Sequence, residues 1–429
     1  MLLLTGLIIL AVATASAPLL LLAAARFGMS RHLIVGRVDG TKPVILGLLI
    51  LMLMFAAKVF LVTGLESTTK SVQPFIKASE KTLMAVSSLK PQPFKEGVMP
   101  IYLRPYRWQA LPSVAPYPPD NPPTSAKIAL GQKLFNDKNL SADKSIACAT
   151  CHDLQRMAGA DSRKLARGIG GKQGPRNTPT VWNSAFQTSL FWDGRANSLE
   201  QQALQPILNP IEMGMISKQA VIDRLTLSSE YRKAFYQVFG QRTITTDMVS
   251  KALASYQRTL LTNDSPYDDF VRGERQALTE QQLSGMALFE RTGCVLCHNG
   301  PNFSAASVFS NNQPLRLFPA NPSLLAERYA LTGLDGKPAV WRVPSLRNVA
   351  LTGPWLHNGS IDSLEEVVRI MATAQLGKNT DRTFLWSDNQ LTVVENPLLT
   401  DSEVKDIVAF LNALTSKRLA ASSESTYGN

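Results

Sequence analysis

The sequence predicts a mainly α-helical protein: two similar helical domains packed together, preceded by two N-terminal transmembrane helices. Three observations carry this reading. Helix-start patterns recur after Pro123, at Ser198-x-x-Gln201, Thr279-x-x-Gln282, Ser363-x-x-Glu366 and Thr400-x-x-Glu403. Each sets a hydroxyl N-cap three residues ahead of a Gln or Glu that can answer it. Apolar residues then follow at helical spacing, as in Val404, Ile407, Val408 and Leu411, and alternating strand patterns are rare. Two helix-like runs, SAKIALGQKLF and EQQLSGMALFERTG, each lead into the same cysteine–histidine motif, which is a weak internal duplication.

From the N-terminus, Leu2–Ala25 and Val44–Leu65 are long apolar runs, the second interrupted only by Lys58. Each approaches the roughly 20 residues that span a bilayer. The first competes with a signal peptide, since ATASA resembles a cleavage site. No Lys or Arg precedes it and apolar residues resume after it, which favours a retained helix. Arg26, Arg31, Arg37 and Lys42 lie between the runs, opposed only by Asp39. The excess of positive charge places that loop in the cytoplasm and everything after residue 65 on the far side. Residues 1–65 are thus expected to form a helical hairpin in the inner membrane, with the rest in the periplasm. Residues 66–122 are Pro-rich and read as a tether. The expected domains are 123–270 and 271–418, with a flexible tail over 419–429.

All four cysteines of the 429-residue chain lie in two C-x-x-C-H motifs, Cys148/Cys151/His152 and Cys294/Cys297/His298. That pattern attaches c-type haem: two thiols bond the porphyrin and the histidine ligates the iron. A four-cysteine zinc site keeps its pairs close in sequence, whereas these lie in separate halves, each with its own histidine. A redox dithiol leaves the repeated histidine unexplained. The reading is two cytochrome c-like haem domains. The net charge of +11 raises a nucleic-acid reading, but no Lys/Arg block with interleaved aromatics supports it, and four haem propionates offset much of the charge.

Only four histidines exist. His152 and His298 are proximal ligands, and His32 lies in the cytoplasmic loop. His357 alone remains, so at most one haem is bis-histidine and methionine must be considered for another sixth position. Of the twelve methionines, Met371 follows a capped helix start and lies after the second motif.

Residues 174–214, GPRNTPTVWNSAFQTSLFWDGRANSLEQQALQPILNPIEMG, resemble a signature of bacterial dihaem cytochrome c peroxidases and the related MauG-type enzymes. Residues 343–368, VPSLRNVALTGPWLHNGSIDSLEEVV, resemble their second signature, and the likeness covers about residues 118–415. It implies a peroxidatic first haem and an electron-accepting second one. A Gln and a Glu at fixed distances after the Trp of FWDGR line the distal side of the first haem; they match Gln202 and Glu212, and the Trp matches Trp192, placed between the haems. The second haem's Met matches Met371. A calcium ion is implied, held by the Asn177 side chain and the carbonyls of Thr352 and Pro354, oxygen donors that suit a hard cation. Arg195 suits a haem propionate, and His357 a hydrogen bond near the second haem.

One departure stands out. Many such peroxidases carry a histidine just before GPRN that ligates the first haem at rest. Here SRKLARGIGGKQGPRN holds no histidine, methionine or tyrosine, so the first iron is expected to keep an open face. That resembles MauG-type enzymes, whose second haem carries a tyrosine ligand where this chain keeps Met371. The expected activity is reduction of hydrogen peroxide to water with electrons from a small cytochrome c or cupredoxin, the chain acting alone or as a homodimer. The rivals are a MauG-type oxidase that covalently modifies a partner protein, a dihaem electron carrier with both irons six-coordinate, and a quinol oxidant. The last lacks intramembrane histidines or acids.

Overall fold

A computed structural model describes residues 106–321, 323–331, 339–378, 382–387, 390–395 and 398–427. The apolar runs Leu2–Ala25 and Val44–Leu65 lie outside the described residues, and no described helix is long and apolar enough to cross a membrane. The helices are α1 Ser125–Phe135, α2 Cys148–Cys151, α3 Leu199–Leu208, α4 Lys218–Leu227, α5 Ser229–Phe239 and α6 Thr246–Gln257, then α7 Pro266–Val271, α8 Glu280–Thr292, α9 Leu324–Arg328, α10 Leu364–Ile370, α11 Asp401–Asn412 and α12 Lys417–Tyr427. Two antiparallel ribbons complete the fold: β1 Leu315–Phe318 with β2 Ala339–Arg342, and β3 Arg382–Ser387 with β4 Gln390–Glu395. The four helix-start patterns lie where helices begin: Ser198, Thr279, Ser363 and Thr400 each accept the N–H three residues on.

The duplication goes deeper than the two runs suggest. In α1 and α8 the shared text is G-x-x-L-F, from Gly131 and Gly285. A Cβ on Gly131 would sit 1.9 Å from the Ala252 carbonyl oxygen of α6; one on Gly285 would sit 1.8 Å from that of Asp406 in α11. Each glycine therefore lets two helix backbones touch. Next to each crossing, Phe135 meets Tyr256 edge-on and Phe289 meets Phe410. Gly285→Ala is expected to push α8 off α11 and cost roughly 3 kcal/mol, the upper part of the overpacking range. Thermal unfolding reads this, and an unchanged midpoint would contradict the backbone contact.

After each motif the chain repeats again, as TPTVWNSAF and VPSLRNVAL. Asn183 and Asn348 both take left-handed φ, 59° and 60°, a region that asparagine tolerates. Their N–H groups donate to the Leu260 and Leu414 carbonyls, and their side-chain oxygens accept from the N–H groups of Thr262 and Ser416. Both amides also donate to the Thr262 hydroxyl, at 2.7 and 2.9 Å. This buried, satisfied network joins the two halves. Beyond it, Trp192 and His357 occupy the same place in each repeat, directly after the positive-φ residues Phe191 and Leu356.

Two apolar clusters form the core. The first packs α1, α3 and α6 around Leu134, Phe135, Ile207 and Leu253; the second packs α8, α10 and α11 around Phe289, Phe303, Ile407 and Phe410. The structure departs from the expected boundaries in three places. Residues 106–122, read as tether, are docked: Trp108 joins the second cluster, and Leu111 and Ala115 are buried against Phe186 and Leu190. Helix α7 belongs to the second cluster through Tyr267, so residues 266–270 group with the C-terminal half. The segment read as a tail, 419–429, begins within α12, where Leu419 is 2% exposed and packs in the first cluster.

Candidate active site

The first motif folds as one turn. Thr150 N–H donates to the Ala147 carbonyl, Ala147 N–H to the Thr150 hydroxyl at 3.0 Å, and His152 N–H to the Cys148 carbonyl at 2.9 Å. Cys148, Cys151 and His152 line a cavity of about 350 Å³. His152 Nδ1 donates to the Gly159 carbonyl at 2.9 Å, which fixes the ring and makes Nε2 the nitrogen available to a metal. Burial lowers the ring's pKa, so it is the neutral imidazole that a metal requires.

The same cavity is lined by Trp192, Arg195, Gln202 and Glu212. Helix α3 carries Gln202, and Glu212 follows in the tight turn after it, where its N–H donates to the Asn209 carbonyl at 3.1 Å. Asn209 Nδ2 donates to Glu212 Oε1 at 2.7 Å. Burial raises the Glu212 pKa, against the opposing pull of the Arg195 charge and the Asn209 hydrogen bond. Trp192 Nε1 donates to the Asn177 carbonyl at 2.9 Å, fixing the indole plane.

Residues 166–168 and 174–177 of the segment that lacks a distal histidine also border the cavity. Among the described residues lining it, His152 is the single histidine. The single methionine, Met213, is 4% exposed and packs into the first apolar cluster.

The second motif forms a 3₁₀ turn, Cys294–Leu296, followed by His298, whose Nδ1 donates to the Phe303 carbonyl at 3.1 Å. Burial lowers its pKa to about 4. Met371 opens a π-helical turn, Met371–Gln375, at the end of α10. Met371 and Trp192 pack against one apolar cluster that includes Trp341, Ile361 and Ile370.

His357 does not line the first cavity. It is 4% exposed and stacks on Trp341 at 4.2 Å between ring centroids, with Trp192 edge-on at 6.4 Å. The Arg176 guanidinium lies 4.7 Å from the Trp341 ring centroid. Burial, then the Arg176 charge, hold the His357 pKa down at about 4.

Arg195 is engaged elsewhere: both its Nη1 contacts go to Asp193 at 2.8 Å, and its Nε donates to Gln205. The residue that sequence reasoning missed is Arg342, which lines the same cavity. It is 4% exposed and lines the cavity; its Nε donates to the Phe191 carbonyl, and its Nη1 has no partner. No carboxylate offsets its burial, which lowers its pKa to about 10. Trp341 Nε1, on the same wall, is also buried without a partner. The lining holds four arginines against two carboxylates, Asp193 and Glu212.

The profile of the di-haem cytochrome c peroxidase family matches residues 125–276. Cytochrome c551 peroxidase of Nitrosomonas europaea is 37% identical over 68% of this chain and 81% of the relative. The chain belongs to the dihaem cytochrome c peroxidase and MauG family. This is a family of oxidoreductases with two c-type haems. Cytochrome c peroxidase Ccp of Escherichia coli K12 is 38% identical over 70% of this chain, which spans 60% of that longer relative. A solved structure, of a MauG-like protein associated with microbial copper homeostasis, is 30% identical with a TM-score of 0.58, covering 73% of this chain and 97% of that one.

The residues of this family member fit the haem its first motif implies. The thiols Cys148 and Cys151 are unpaired, and His152 lines the same cavity. The orphaned N–H groups of Arg342 and Trp341 suit propionate carboxylates, because a buried cation without an anion is costly until one arrives. The second motif repeats the histidine arrangement around Cys294 and Cys297. For the implied calcium, Asn177 Nδ2 donates to the Arg163 and Lys164 carbonyls, which directs its Oδ1 the other way. Asn177 N–H donates to the His357 carbonyl, tying it to the turn that carries Thr352 and Pro354.

Proposed function

We propose that the protein reduces hydrogen peroxide to water with electrons from a small cytochrome c or cupredoxin. The observation that carries this reading is the placement of Glu212 and Gln202 in the cavity of the first C-x-x-C-H motif. His152 and the thioethers of Cys148 and Cys151 would hold the first haem, and His298 with Met371 the second. Haem iron supplies reversible one-electron chemistry and a coordination site for oxygen donors.

Within this reading the protein's own groups move the protons. Glu212 takes the proton from one peroxide oxygen and delivers it to the other, which leaves as water. A carboxyl whose pKa is raised by burial serves both as base and, once protonated, as acid. Gln202 orients the peroxide by hydrogen bonding. Trp192, fixed by Asn177, borders the cavity and packs against the cluster that holds Met371, which suits a relay between the two sites. Arg342 neutralises a propionate, while Asp193 occupies Arg195. Calcium at Asn177 and the carbonyls of Thr352 and Pro354 would stiffen the Trp192 mounting. The proposal includes the inner-membrane hairpin over residues 1–65 and a periplasmic position for the haem domains.

One test is turnover of peroxide by the purified holo-protein with reduced cytochrome c or cupredoxin. Consumption of two reduced donors per peroxide supports the reading. Oxidation of a partner protein without donor turnover would replace it with the MauG-type reading, which the ligand-free segment before GPRN also accommodates.

A further inference from the structure

We infer that the strap Tyr106–Leu111 is a positioning element for the proximal histidine of the second motif. This rests on the reading of His298 as a haem ligand. Along the strap Leu111 is buried and Tyr106 and Trp108 are half-buried, while Arg107 and Gln109 are exposed. Its start is pinned to the helix that leads into the motif: Tyr106 N–H donates to Glu290 Oε1 at 2.7 Å. Further along, Gln109 N–H donates to the Tyr267 hydroxyl, which donates back to the Gln109 carbonyl. Leu111 N–H donates to Asp268 Oδ1 at 3.0 Å.

Two contacts reach the segment that aims the His298 ring. The Tyr106 hydroxyl accepts the Gly300 N–H, two residues after His298. The Trp108 ring lies 6.2 Å from that of Phe303, whose carbonyl accepts the His298 Nδ1–H. Phe303 is fully buried at a positive φ of 49°, an unfavourable conformation for a bulky residue that its surroundings must hold. Between the two, Arg347 Nε and Nη2 both donate to the Pro301 carbonyl. The strap and Arg347 therefore fix three points of the loop His298–Phe303. The first motif is held by a different segment: Val181 N–H donates to the Gly159 carbonyl that holds His152, and the Thr180 hydroxyl and Trp182 Nε1 donate to the Ala158 and Leu154 carbonyls, so the strap's contacts are with the second motif. Hydrogen-bonding partners that orient a ligating histidine set its basicity and hence the behaviour of the metal. Loosening the strap weakens the His298 Nδ1–H donation to Phe303, leaves the ring less basic and so favours the reduced form.

The experiment is a redox titration of the full-length holo-protein, following both haems optically and by electron paramagnetic resonance, for wild type, Tyr106→Phe, Trp108→Ala and Trp108→Phe. The expected result is a shift of the second haem's equilibrium toward the reduced form in Tyr106→Phe and Trp108→Ala. We expect about tenfold, or roughly 59 mV for a one-electron couple. The first haem's potential stays in place, and Trp108→Phe recovers most of the shift. Tyr106→Phe keeps the ring, so it remains informative if Trp108→Ala fails to fold. Unchanged potentials in folded variants, with only a lower melting temperature, would reduce the strap to an anchor and overturn the inference. Equal shifts of both haems would overturn it too. The readout needs two bound haems but no turnover, so failure of the peroxidase reading leaves it intact.

Discussion

Replacing Glu212 by Gln is expected to lower peroxide turnover by about 10²- to 10⁴-fold, the range for losing a positioned general acid–base group. The substitution is close to isosteric. A glutamine oxygen still accepts from Asn209 Nδ2, now 2.7 Å from Glu212 Oε1, so the turn after α3 keeps its shape. Haem content and melting temperature should therefore stay near wild type, which separates lost chemistry from lost folding. The pH dependence gives a second check. Burial raises the Glu212 pKa above the ordinary carboxylate value, despite Arg195 and Asn209. The deprotonated form is the base, so kcat/KM should climb as pH rises through that raised value and level off above it. The glutamine variant should lack that acid limb. Turnover within twofold of wild type, or an unchanged acid limb, would remove Glu212 from the chemistry.

The second large effect falls on stability. Arg347 and Asp268 form an ion pair at 2.7 Å with side chains 1% and 0% exposed. Arg347→Met is expected to cost about 3–5 kcal/mol, because it strands a buried carboxylate. The carboxylate has other partners: Ser265 at 2.6 Å and the strap through Leu111 N–H. These do not replace a cation. Burial alone would raise the Asp268 pKa, but the Arg347 charge and the hydrogen bonds outweigh it, so the pKa is lowered. In wild type that contribution is fully present above the unfolded carboxylate pKa and is lost only as pH falls through the lowered folded value. In Arg347→Met the same burial acts unopposed by the guanidinium and raises the pKa. The variant then regains stability as the carboxyl takes up a proton. The gap between the two proteins should be widest near neutral pH and narrow on acidification. Denaturant unfolding across pH measures this, and a pH-independent gap would contradict the electrostatic origin. Asp268→Leu with Arg347→Met should recover part of the loss, since the stranded charge is gone.

Parts of this architecture could be read directly from the residues. The helix starts at Ser198, Thr279, Ser363 and Thr400 rest on local hydroxyl–amide bonds, which sequence spacing reports well. The first motif, Trp192, Gln202 and Glu212 line one cavity. Other features depend on contacts that no local pattern encodes. Pro-rich text around Tyr106–Pro122 argues against a packed segment, but burial of Trp108 and Leu111 depends on partners such as Tyr267 and Asp268, distant in sequence. Nothing in the local sequence marks Arg342, and only the fold shows it sunk into a cavity wall with an unpaired Nη1. Arg195 had the motif but found Asp193 two residues away. The Asn183 and Asn348 repeat was legible in principle from TPTVWN and VPSLRN. Its left-handed asparagines and the shared Thr262 hydroxyl appear only in three dimensions.

The central claim is that the cavity of His152 offers an iron with one face free beside Glu212, wired to a second site ligated on both faces. An electron paramagnetic resonance spectrum of the oxidised, as-isolated holo-protein tests it most directly. We predict one high-spin ferric signal, altered in Glu212→Gln on adding peroxide, together with one low-spin signal that Met371→Ala abolishes. Two low-spin signals with no high-spin component would contradict the account.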